Sequence, residues 1–218
     1  MGAGVGTGDS YGGYRTRLVE QLQARGIKDL SVLRAISEVP RHLFVPASVR
    51  HRAYEDSALP LGQGQTVSQP WVQARSLELL RLTGSERVLE VGAGSGYQTA
   101  LIARLAAAVF AVERVAALAY QAREALNLAG IQNVSVMVGD GTLGWRSLAP
   151  FDAILVAAAS PKVPEPLIEQ LTPQGRLVIP IDRGDGQQLV LYERDGAGLR
   201  ETAIAAVRFV PLRGKHGF

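Results

Sequence analysis

Residues 88–100, VLEVGAGSGYQTA, join an apolar stretch to a glycine-rich turn and then to a segment that favours a helix. The apolar part predicts a buried β-strand. Glycines at positions 92, 94 and 96 allow a tight turn and a close approach of the backbone to a ligand. The acidic residue Glu90 precedes the first glycine. The pattern predicts a strand–turn–helix unit with a ligand site at the turn.

The sequence on the C-terminal side of this unit continues the alternation of strand and helix. Strand-like stretches are RVLEV, AVFAVE, VSVMV, FDAILVAAA and GRLVIPI, and helical segments separate most of them. Such alternation predicts an α/β fold, a Rossmann-like doubly wound and mostly parallel sheet. The last two stretches, QQLVLYER and TAIAAVRFV, are separated only by a short glycine-containing turn. They predict a C-terminal antiparallel hairpin on one edge of the sheet.

The N-terminal third of the chain has a different character. Two short helices are predicted, one from Tyr14 and one capped by Asp29 or Ser31, and together they form a small helical N-terminal cap. Residues 41–70 are irregular and dense in Pro, Gly and Gln, and long loops of this kind are often functional. The predicted division is a flexible Gly-rich start (1–13) and a single domain (14–218), made of N-terminal helices with a substrate and cofactor loop (14–70) and a Rossmann-like core (71–218).

Three acidic residues stand at the ends of successive predicted strands: Glu90, Glu113 and Asp140. Because the carboxyl ends of parallel strands meet at one edge of a sheet, we expect these residues around the same crevice. A carboxylate at the position of Glu113 can accept hydrogen bonds from both hydroxyls of a ribose. The crevice is therefore predicted to bind a cofactor that carries a ribose.

Two kinds of cofactor compete for this crevice. The dinucleotide fingerprint is G-x-G-x-x-G/A, whereas this chain has G-x-G-x-G and places Tyr97 at the third fingerprint position. A pyrophosphate prefers a helix N-terminus without an acid beside it, but a ligand with an ammonium and a sulfonium group is attracted by Glu90. S-adenosylmethionine has both groups. The pattern predicts a class I methyltransferase and disfavours an NAD-dependent oxidoreductase.

Composition excludes several other classes. The chain has no cysteine and three histidines, so disulfides, thiol chemistry and a metal site are not expected. The 23 Lys+Arg and 20 Asp+Glu give a formal net charge of +3 without a long basic run, so no nucleic-acid partner is expected. No apolar stretch approaches the roughly 18 residues of a membrane span, and the start is unlike a signal peptide. We expect a cytoplasmic protein with no membrane partner that acts as a monomer.

The irregular segment and several later motifs resemble one methyltransferase family. The stretches YEDSALPLGQGQTVSQPWVQA, VLEVGAGSGYQTA, GDGTLGW, FDAILVAAAS and VPEPLIEQLTPQGRLVIPI are similar to those of protein-L-isoaspartate O-methyltransferases. The resemblance covers about residues 30–213. The GQGQTVSQP stretch is far more specific than the glycine turn, which many methyltransferases share.

The resemblance implies methyl transfer from S-adenosylmethionine to the free α-carboxyl of L-isoaspartyl residues in damaged proteins and peptides, which begins repair through a succinimide. Ser68 is implied as the active-site residue. The residues implied to bind the cofactor are Thr66, Val67, Ser68, Gln69, Gln73, Glu90, Gly92, Gly94, Ser95, Gly96, Glu113, Arg114, Asp140 and Gly141. The residues expected on the substrate side are Asp56, Gln65, Val207, Phe209 and Val210.

The chemistry of the acceptor limits the role of Ser68. An isoaspartyl carboxyl has an ordinary pKa of ~3.5 to 4, so it is ionised at pH 7 and needs no general base. The Ser68 hydroxyl is therefore expected to orient one carboxylate oxygen while the other attacks, rather than to act as a nucleophile. Ser68 or Gln69 is also a candidate helix cap, with Pro70 in the first turn, and the two roles are compatible.

Some of these assignments have structural alternatives. Asp56 and Gln65 could stabilise loop turns instead of contacting substrate, and Gln73 could face solvent. Arg41, His42 and Phe44, in the stretch VPRHLFVP, could form a lid or contribute to helix packing, and packing is expected. For the whole chain, the alternatives are a methyltransferase with another small-molecule or protein acceptor and a non-catalytic module that binds adenosylmethionine.

Overall fold

A seven-stranded sheet forms the centre of the protein in the computed structural model, which describes residues 11–195 and 198–218. The α-helices of these residues are α1 (Gly12–Ala24), α2 (Leu30–Glu38), α3 (Pro70–Leu80), α4 (Tyr97–Leu105), α5 (Ala116–Leu128) and α6 (Glu165–Glu169). The strands are β1 (Leu59–Gly62), β2 (Gln65–Val67), β3 (Arg87–Val91), β4 (Ala108–Glu113), β5 (Val134–Val138), β6 (Phe151–Val156), β7 (Leu171–Asp182), β8 (Gln187–Asp195) and β9 (Gly198–Val207).

The large sheet has the strand order β5-β4-β3-β6-β7-β8-β9. Its strands from β5 to β7 in this order are parallel, whereas β8 is antiparallel to both β7 and β9. The predicted Rossmann-like, doubly wound and mostly parallel sheet with a C-terminal antiparallel hairpin is thus confirmed. Residues 196–197, in the predicted turn of that hairpin, lie outside the described residues.

Both faces of the central strands are buried, and successive side chains of each strand alternate between the two faces. In β6, Ala153 and Leu155 belong to one apolar cluster and Ile154 and Val156 belong to the other. The first cluster also contains residues of α1 to α5, and the second contains Leu167 of α6. A sheet that is covered on both faces explains why these strands are almost continuously apolar.

The direction of winding changes next to β3. From β3 the chain proceeds to β4 and β5 on one side, and it then crosses to β6 on the other side. In such sheets, ligands bind outside the carboxyl ends of the strands at this switch point. The glycine turn of residues 92–96 follows β3 at that place.

The N-terminal segment forms a helical cap, as predicted, but it also contains a small hairpin that was not predicted. The Asp29 side chain caps α2 by accepting hydrogen bonds from the backbone amides of Ser31 and Val32. Two 3₁₀-helices, Arg41–Phe44 and Ala47–Arg52, lead to the antiparallel pair of β1 and β2. The irregular composition of residues 41–70 therefore reflects short ordered elements joined by tight turns.

Several element boundaries differ from the predicted ones. α1 begins at Gly12 rather than Tyr14, and residues 1–10 of the predicted flexible start lie outside the described chain. β9 ends at Val207, although the apolar pattern continues to Val210. Gln69 is the N-cap residue of α3 but makes no side-chain capping bond, because its amide donates to the carbonyl of Asp56 at 3.0 Å.

The turn that leads into β3 is closed by a buried carboxylate. Glu86 accepts hydrogen bonds from the backbone amides of Thr83, Gly84 and Ser85 and from the Thr83 hydroxyl at 2.7 Å. Burial by itself raises the pKa of Glu86, but these hydrogen bonds outweigh it and hold the pKa below its ordinary value. The ionised carboxylate thus stabilises the connection from α3 to β3.

We expect the substitution Glu86→Gln to lower the free energy of unfolding at pH 7 by about 1–3 kcal/mol, because it removes a charged acceptor of several hydrogen bonds. Because the folded-state pKa is depressed, the contribution of Glu86 is present above the unfolded-state pKa of about 4.5 and is lost as the pH falls through the folded-state value. Urea denaturation of the parent and of Glu86→Gln between pH 7 and pH 3 measures the difference in their free energies of unfolding. Ser85→Ala, in the same turn, is the control; an equal loss in both variants at pH 7 contradicts the prediction.

Candidate functional site

A cavity of about 840 Å³ lies at the carboxyl ends of β3, β4 and β6. One side is formed by the glycine turn and by the ends of the neighbouring strands, and the other by the segment after β2 and by the end of β9. The predicted site residues that line it are Gln65, Thr66, Val67, Ser68, Gln69, Gln73, Gly92, Gly94, Ser95, Glu113, Arg114, Gly141, Val207, Phe209 and Val210. The structure thus brings most of the predicted cofactor and substrate residues to one cavity.

The glycine turn is held in place by hydrogen bonds to the neighbouring strand. The backbone amide of Gly92 donates to the carbonyl of Val112 at 2.8 Å, and that of Gly94 donates to Glu113 Oε2 at 2.9 Å. Gly96 is the N-cap residue of α4 and has a φ of 83°, and a Cβ at this position would lie 3.1 Å from the Cβ of Ala122. Glycine is therefore required there for conformation and for space.

Glu113 is buried at 7% exposure and joins two loops of the cavity wall. Its second carboxylate oxygen accepts a hydrogen bond from the backbone amide of Val115 at 2.8 Å. Each carboxylate oxygen can accept more than one hydrogen bond, so the side chain that fixes the two loops can also accept from a ligand hydroxyl. Its predicted contact with a ribose stays a prediction.

Glu90 lies behind the glycine turn rather than on the cavity wall. Its side chain is completely buried, and Oε2 accepts a hydrogen bond from the Thr99 hydroxyl of α4 at 2.5 Å. Oε1 is buried without a hydrogen-bond partner among the described residues. Burial raises the pKa of Glu90 to about 8, with a smaller contribution from the charge of Glu113. The structure therefore favours a protonated Glu90 at neutral pH.

Asp140 is also turned away from the cavity. Its carboxylate accepts hydrogen bonds from the backbone amide and hydroxyl of Thr142 and from the backbone amide of Lys215 at 2.8 Å. Burial opposes ionisation, but these bonds keep the pKa of Asp140 below its ordinary value. The next residue, Gly141, does line the cavity. The predicted cofactor contacts of Glu90, Gly96 and Asp140 stay predictions, since none of these residues reaches the cavity wall.

The opposite side of the cavity is formed by Ser68 and by the chain after β9. The Gln187 side chain forms two hydrogen bonds with the backbone of Phe209. Its Nε2 donates to the Phe209 carbonyl at 3.2 Å, and its Oε1 accepts from the Phe209 amide at 2.6 Å. The Leu212 amide donates to the carbonyl of Ala159 at 2.6 Å. Residues 207–212 therefore form an ordered rim at the edge of the sheet.

Asp56 lies outside this cavity. Its carboxylate accepts a hydrogen bond from the backbone amide of Trp71 at 2.8 Å and forms an ion pair with Arg25. Asp56 lines a second, more open cavity of about 690 Å³, and Arg25 lines both cavities. These contacts fit the alternative role expected for Asp56, in which it stabilises the loop. Its contact with the substrate stays a prediction.

Several other cavity residues were not identified from the sequence, and Gln98, Trp71 and Arg25 are polar or aromatic examples. Gln98 follows the glycine turn on α4, and both polar atoms of its buried side chain have no hydrogen-bond partner within residues 11–195 and 198–218. Trp71 and Arg25 stack at the mouth, with the guanidinium carbon 4.8 Å from the ring centroid. The position of Gln98, two residues after the last glycine of G-x-G-x-G, could have identified it, whereas nothing local in the sequence indicates the Arg25–Trp71 contact.

The fold and the cavity define the class of the protein. A parallel sheet with a glycine turn at its switch point, a buried acid after the next strand, and a second wall from an N-terminal segment are typical of adenosylmethionine-dependent methyltransferases. The family described as "Protein-L-isoaspartate(D-aspartate) O-methyltransferase (PCMT)" matches residues 14–217, and the chain belongs to this family.

The chain is also similar in sequence to individual proteins that carry the family's name. The chain is 53% identical over 205 residues to a protein-L-isoaspartate O-methyltransferase of Methanoregula boonei, covering 94% of each. It is 50% identical over 202 residues to that of Hahella chejuensis, covering 92% of this chain and 95% of the relative.

Solved structures of the same name share the fold. One protein-L-isoaspartate O-methyltransferase superimposes with a TM-score of 0.84 at 30% identity, over 93% of this chain and 67% of the other. A Plasmodium falciparum protein of that name, in complex with S-adenosyl-L-homocysteine, gives a TM-score of 0.82 at 27% identity, over 91% of this chain and 98% of the other.

Two other properties of the described residues bear on function. None of their helices is both long and apolar enough to cross a bilayer. In the same part of the chain, no three or more His, Asp or Glu side chains lie together in a group suited to a metal ion.

The buried Glu90 makes the stability of the protein depend on pH. The pKa of Glu90 is raised in the folded state, so between about pH 4.5 and about pH 8 the folded protein binds a proton that the unfolded chain has lost. Because removing protons from solution then favours the unfolded chain, the free energy of unfolding falls as the pH rises through this range. The substitution Glu90→Gln removes this dependence. We expect the variant to gain at least about 1 kcal/mol relative to the parent at pH 8, the equivalent of one pKa unit.

Denaturant unfolding of both proteins between pH 4.5 and pH 8.5 measures the effect. The gap between the curves should widen with pH and become constant above about pH 8. Glu124→Gln, on the exposed face of α5, is the matched control for the exchange of a glutamate for a glutamine. A constant gap for Glu90→Gln over the whole range would show that this carboxyl is already ionised in the folded protein.

Proposed function

We propose that the chain transfers the methyl group of S-adenosylmethionine to the free α-carboxyl of L-isoaspartyl residues in damaged proteins and peptides. The observation that carries the proposal is that one cavity has the glycine turn and Glu113 on one side and Ser68 with the end of β9 on the other. A cofactor and an acceptor can therefore meet inside it. Family membership supplies the acceptor class.

The residues on the side of the glycine turn and Glu113 fit S-adenosylmethionine. Gln98 presents an unpartnered buried amide at the cavity. Gly141 lies so close to Val91 that a Cβ at this position would overlap the valine, so glycine allows these two lining residues to pack together. Glu113 retains acceptor capacity at the end of β4. When bound, the cofactor supplies an electrophilic methyl group on a sulfonium.

The chain's own residues then hold the acceptor. An ionised carboxylate is already a nucleophile, so positioning and exclusion of water are the main requirements. We propose that the Ser68 hydroxyl donates a hydrogen bond to one carboxylate oxygen and leaves the other free to attack. We propose that Trp71, which lines the cavity three residues after Ser68, helps to exclude water from the acceptor. The backbone nitrogen of the following residue then attacks the ester carbonyl carbon of the methylated peptide, methanol leaves, and a succinimide forms. Water opens this ring, and a fraction of the molecules regains the normal aspartyl linkage.

The substrate backbone has a suitable place at the sheet edge. β9 is the last strand of the large sheet, and residues 207–210 continue from it along the cavity. The edge of a sheet offers unpaired backbone groups that can bind an extended peptide. We propose that Val207, Phe209 and Val210 contact the substrate there, with Gln65 on the facing segment.

We also propose that the protein acts in the cytoplasm as a monomer, as one domain over residues 14–218, and without a nucleic-acid partner. The near balance of 23 basic and 20 acidic residues supports the last point. The lack of cysteine fits a reducing compartment. Sedimentation equilibrium at micromolar concentration tests the monomer.

Two peptides that differ only in an isoaspartyl or a normal aspartyl linkage test the activity. Incubation with methyl-labelled S-adenosylmethionine should label only the isoaspartyl peptide, in a base-labile ester. Label on neither peptide, with the cofactor bound in calorimetry, points to another acceptor. Failure to bind the cofactor as well as failure to label contradicts the proposal altogether.

The substitution Ser68→Ala tests the orienting role. A hydrogen bond to a charged group contributes about 1.5–3 kcal/mol, so we expect kcat for the isoaspartyl peptide to fall by roughly 10- to 100-fold. The Kd of the cofactor should stay nearly unchanged, because the hydroxyl acts on the acceptor. Ser57→Ala, in the same N-terminal segment, is the control and should keep full activity. A large loss of cofactor affinity in Ser68→Ala contradicts the assignment.

A further inference from the structure

Arg41 is a fully buried arginine whose guanidinium binds neutral groups. It opens the 3₁₀-helix Arg41–Phe44 and is 0% exposed. Nη1 donates to Gln73 Oε1 at 2.7 Å, and Nη2 donates to the carbonyl of Ser68 at 2.9 Å. Within residues 11–195 and 198–218 no carboxylate forms a salt bridge with it, and Asp56 acts on it only as a more distant charge.

Holding this charge inside the protein is costly. Burial lowers the pKa of the Arg41 guanidinium, which shows that the charged form is disfavoured by its surroundings. A buried cation is normally compensated by an acid, and apolar residues of similar size often fill such space with equal or better stability. Stability alone therefore gives a weak reason for arginine at this position.

The groups that Arg41 contacts lie on one wall of the cavity and directly behind the other. Ser68 and Gln73 line the cavity on the segment from β2 into α3. The guanidinium carbon also lies 4.6 Å from the ring centroid of Tyr97, the first residue of α4 after the glycine turn. Arg41 itself is not part of the lining. One rigid planar group thus connects the proposed acceptor wall to the start of the cofactor wall.

We propose that Arg41 is a positioning residue for methyl transfer, which fixes the Ser68 segment relative to the glycine turn. The inference rests on the proposed function, in which Ser68 orients the acceptor carboxylate. The planar fork of arginine suits this task, because it holds two acceptors in one plane while its face stacks on a ring. A lysine can reach one of the acceptors but cannot reproduce the arrangement.

The test uses the full-length variants Arg41→Lys and Arg41→Met. A displacement of about 1 Å at a reacting centre can cost on the order of 100-fold in rate. We expect kcat for an isoaspartyl peptide to fall by roughly 10- to 100-fold in Arg41→Met and by a smaller factor in Arg41→Lys. Circular dichroism establishes that each variant is folded. Arg34→Met, an exposed arginine of α2 paired with Glu38, is the matched control and should keep the parent kcat.

A double-mutant cycle with Ser68→Ala separates positioning from general loosening of the fold. If Arg41 acts through Ser68, Arg41→Met should lower kcat by less than about threefold in the Ser68→Ala background, since no hydroxyl is left to place. Equal losses in both backgrounds overturn the inference. So does a folded Arg41→Met or Arg41→Lys protein with the parent kcat. If Arg41→Met does not fold, the same cycle with Arg41→Lys decides.

The outcomes also distinguish this inference from the proposed function. A parent protein that methylates no isoaspartyl peptide contradicts the function itself, whatever the variants do. A parent that methylates the peptide, together with a fully active Ser68→Ala protein, retains the activity but overturns the positioning of Ser68 by Arg41.

Discussion

The carboxylate of Glu113 holds together the part of the molecule on which the site depends. It accepts the backbone amide of Gly94 in the turn after β3 and the backbone amide of Val115 in the turn after β4. The loops that follow β3 and β4 are thereby held at a fixed distance from each other beside the cavity. Since the side chain of Glu113 is buried, these hydrogen bonds are shielded from competition by water and hold the two loops together.

Much of the fold follows from local patterns. The apolar strands, the glycine turn and the C-terminal pair of strands each carry their own signal within a few residues, because burial on both faces of a parallel sheet demands continuous apolar stretches. The pair of β1 and β2 gave no such signal. Its strands are only 4 and 3 residues long, and each has a single buried residue, Leu59 in β1 and Val67 in β2, which is too short a pattern to identify a strand. Its formation depends on contacts with the rest of the domain rather than on its own sequence.

The site was predictable to the level of segments but not always to that of side chains. Glu90 does stand near the end of β3, but the alternation of the strand places it on the face of Val88, beneath α4, instead of at the cavity. Asp140 is likewise at the end of its strand, yet it is bound by Lys215, which is 75 residues away in the chain. A partner so distant in sequence cannot be inferred from a motif. The same holds for Arg41 and its acceptors at Ser68 and Gln73.

The start of α4 shows how these buried groups combine. Tyr97 lies against the guanidinium of Arg41, and Thr99 donates its hydroxyl to Glu90. Gln98, between them, lines the cavity with an amide that has no partner in the described chain. Two ionisable side chains that are costly to bury therefore fix the residues on either side of the one that faces the ligand. Because a helix turns as a rigid unit, fixing Tyr97 and Thr99 also fixes the direction of Gln98. The cost of burying Arg41 and Glu90 is consistent with an orientation that must be set before a ligand enters.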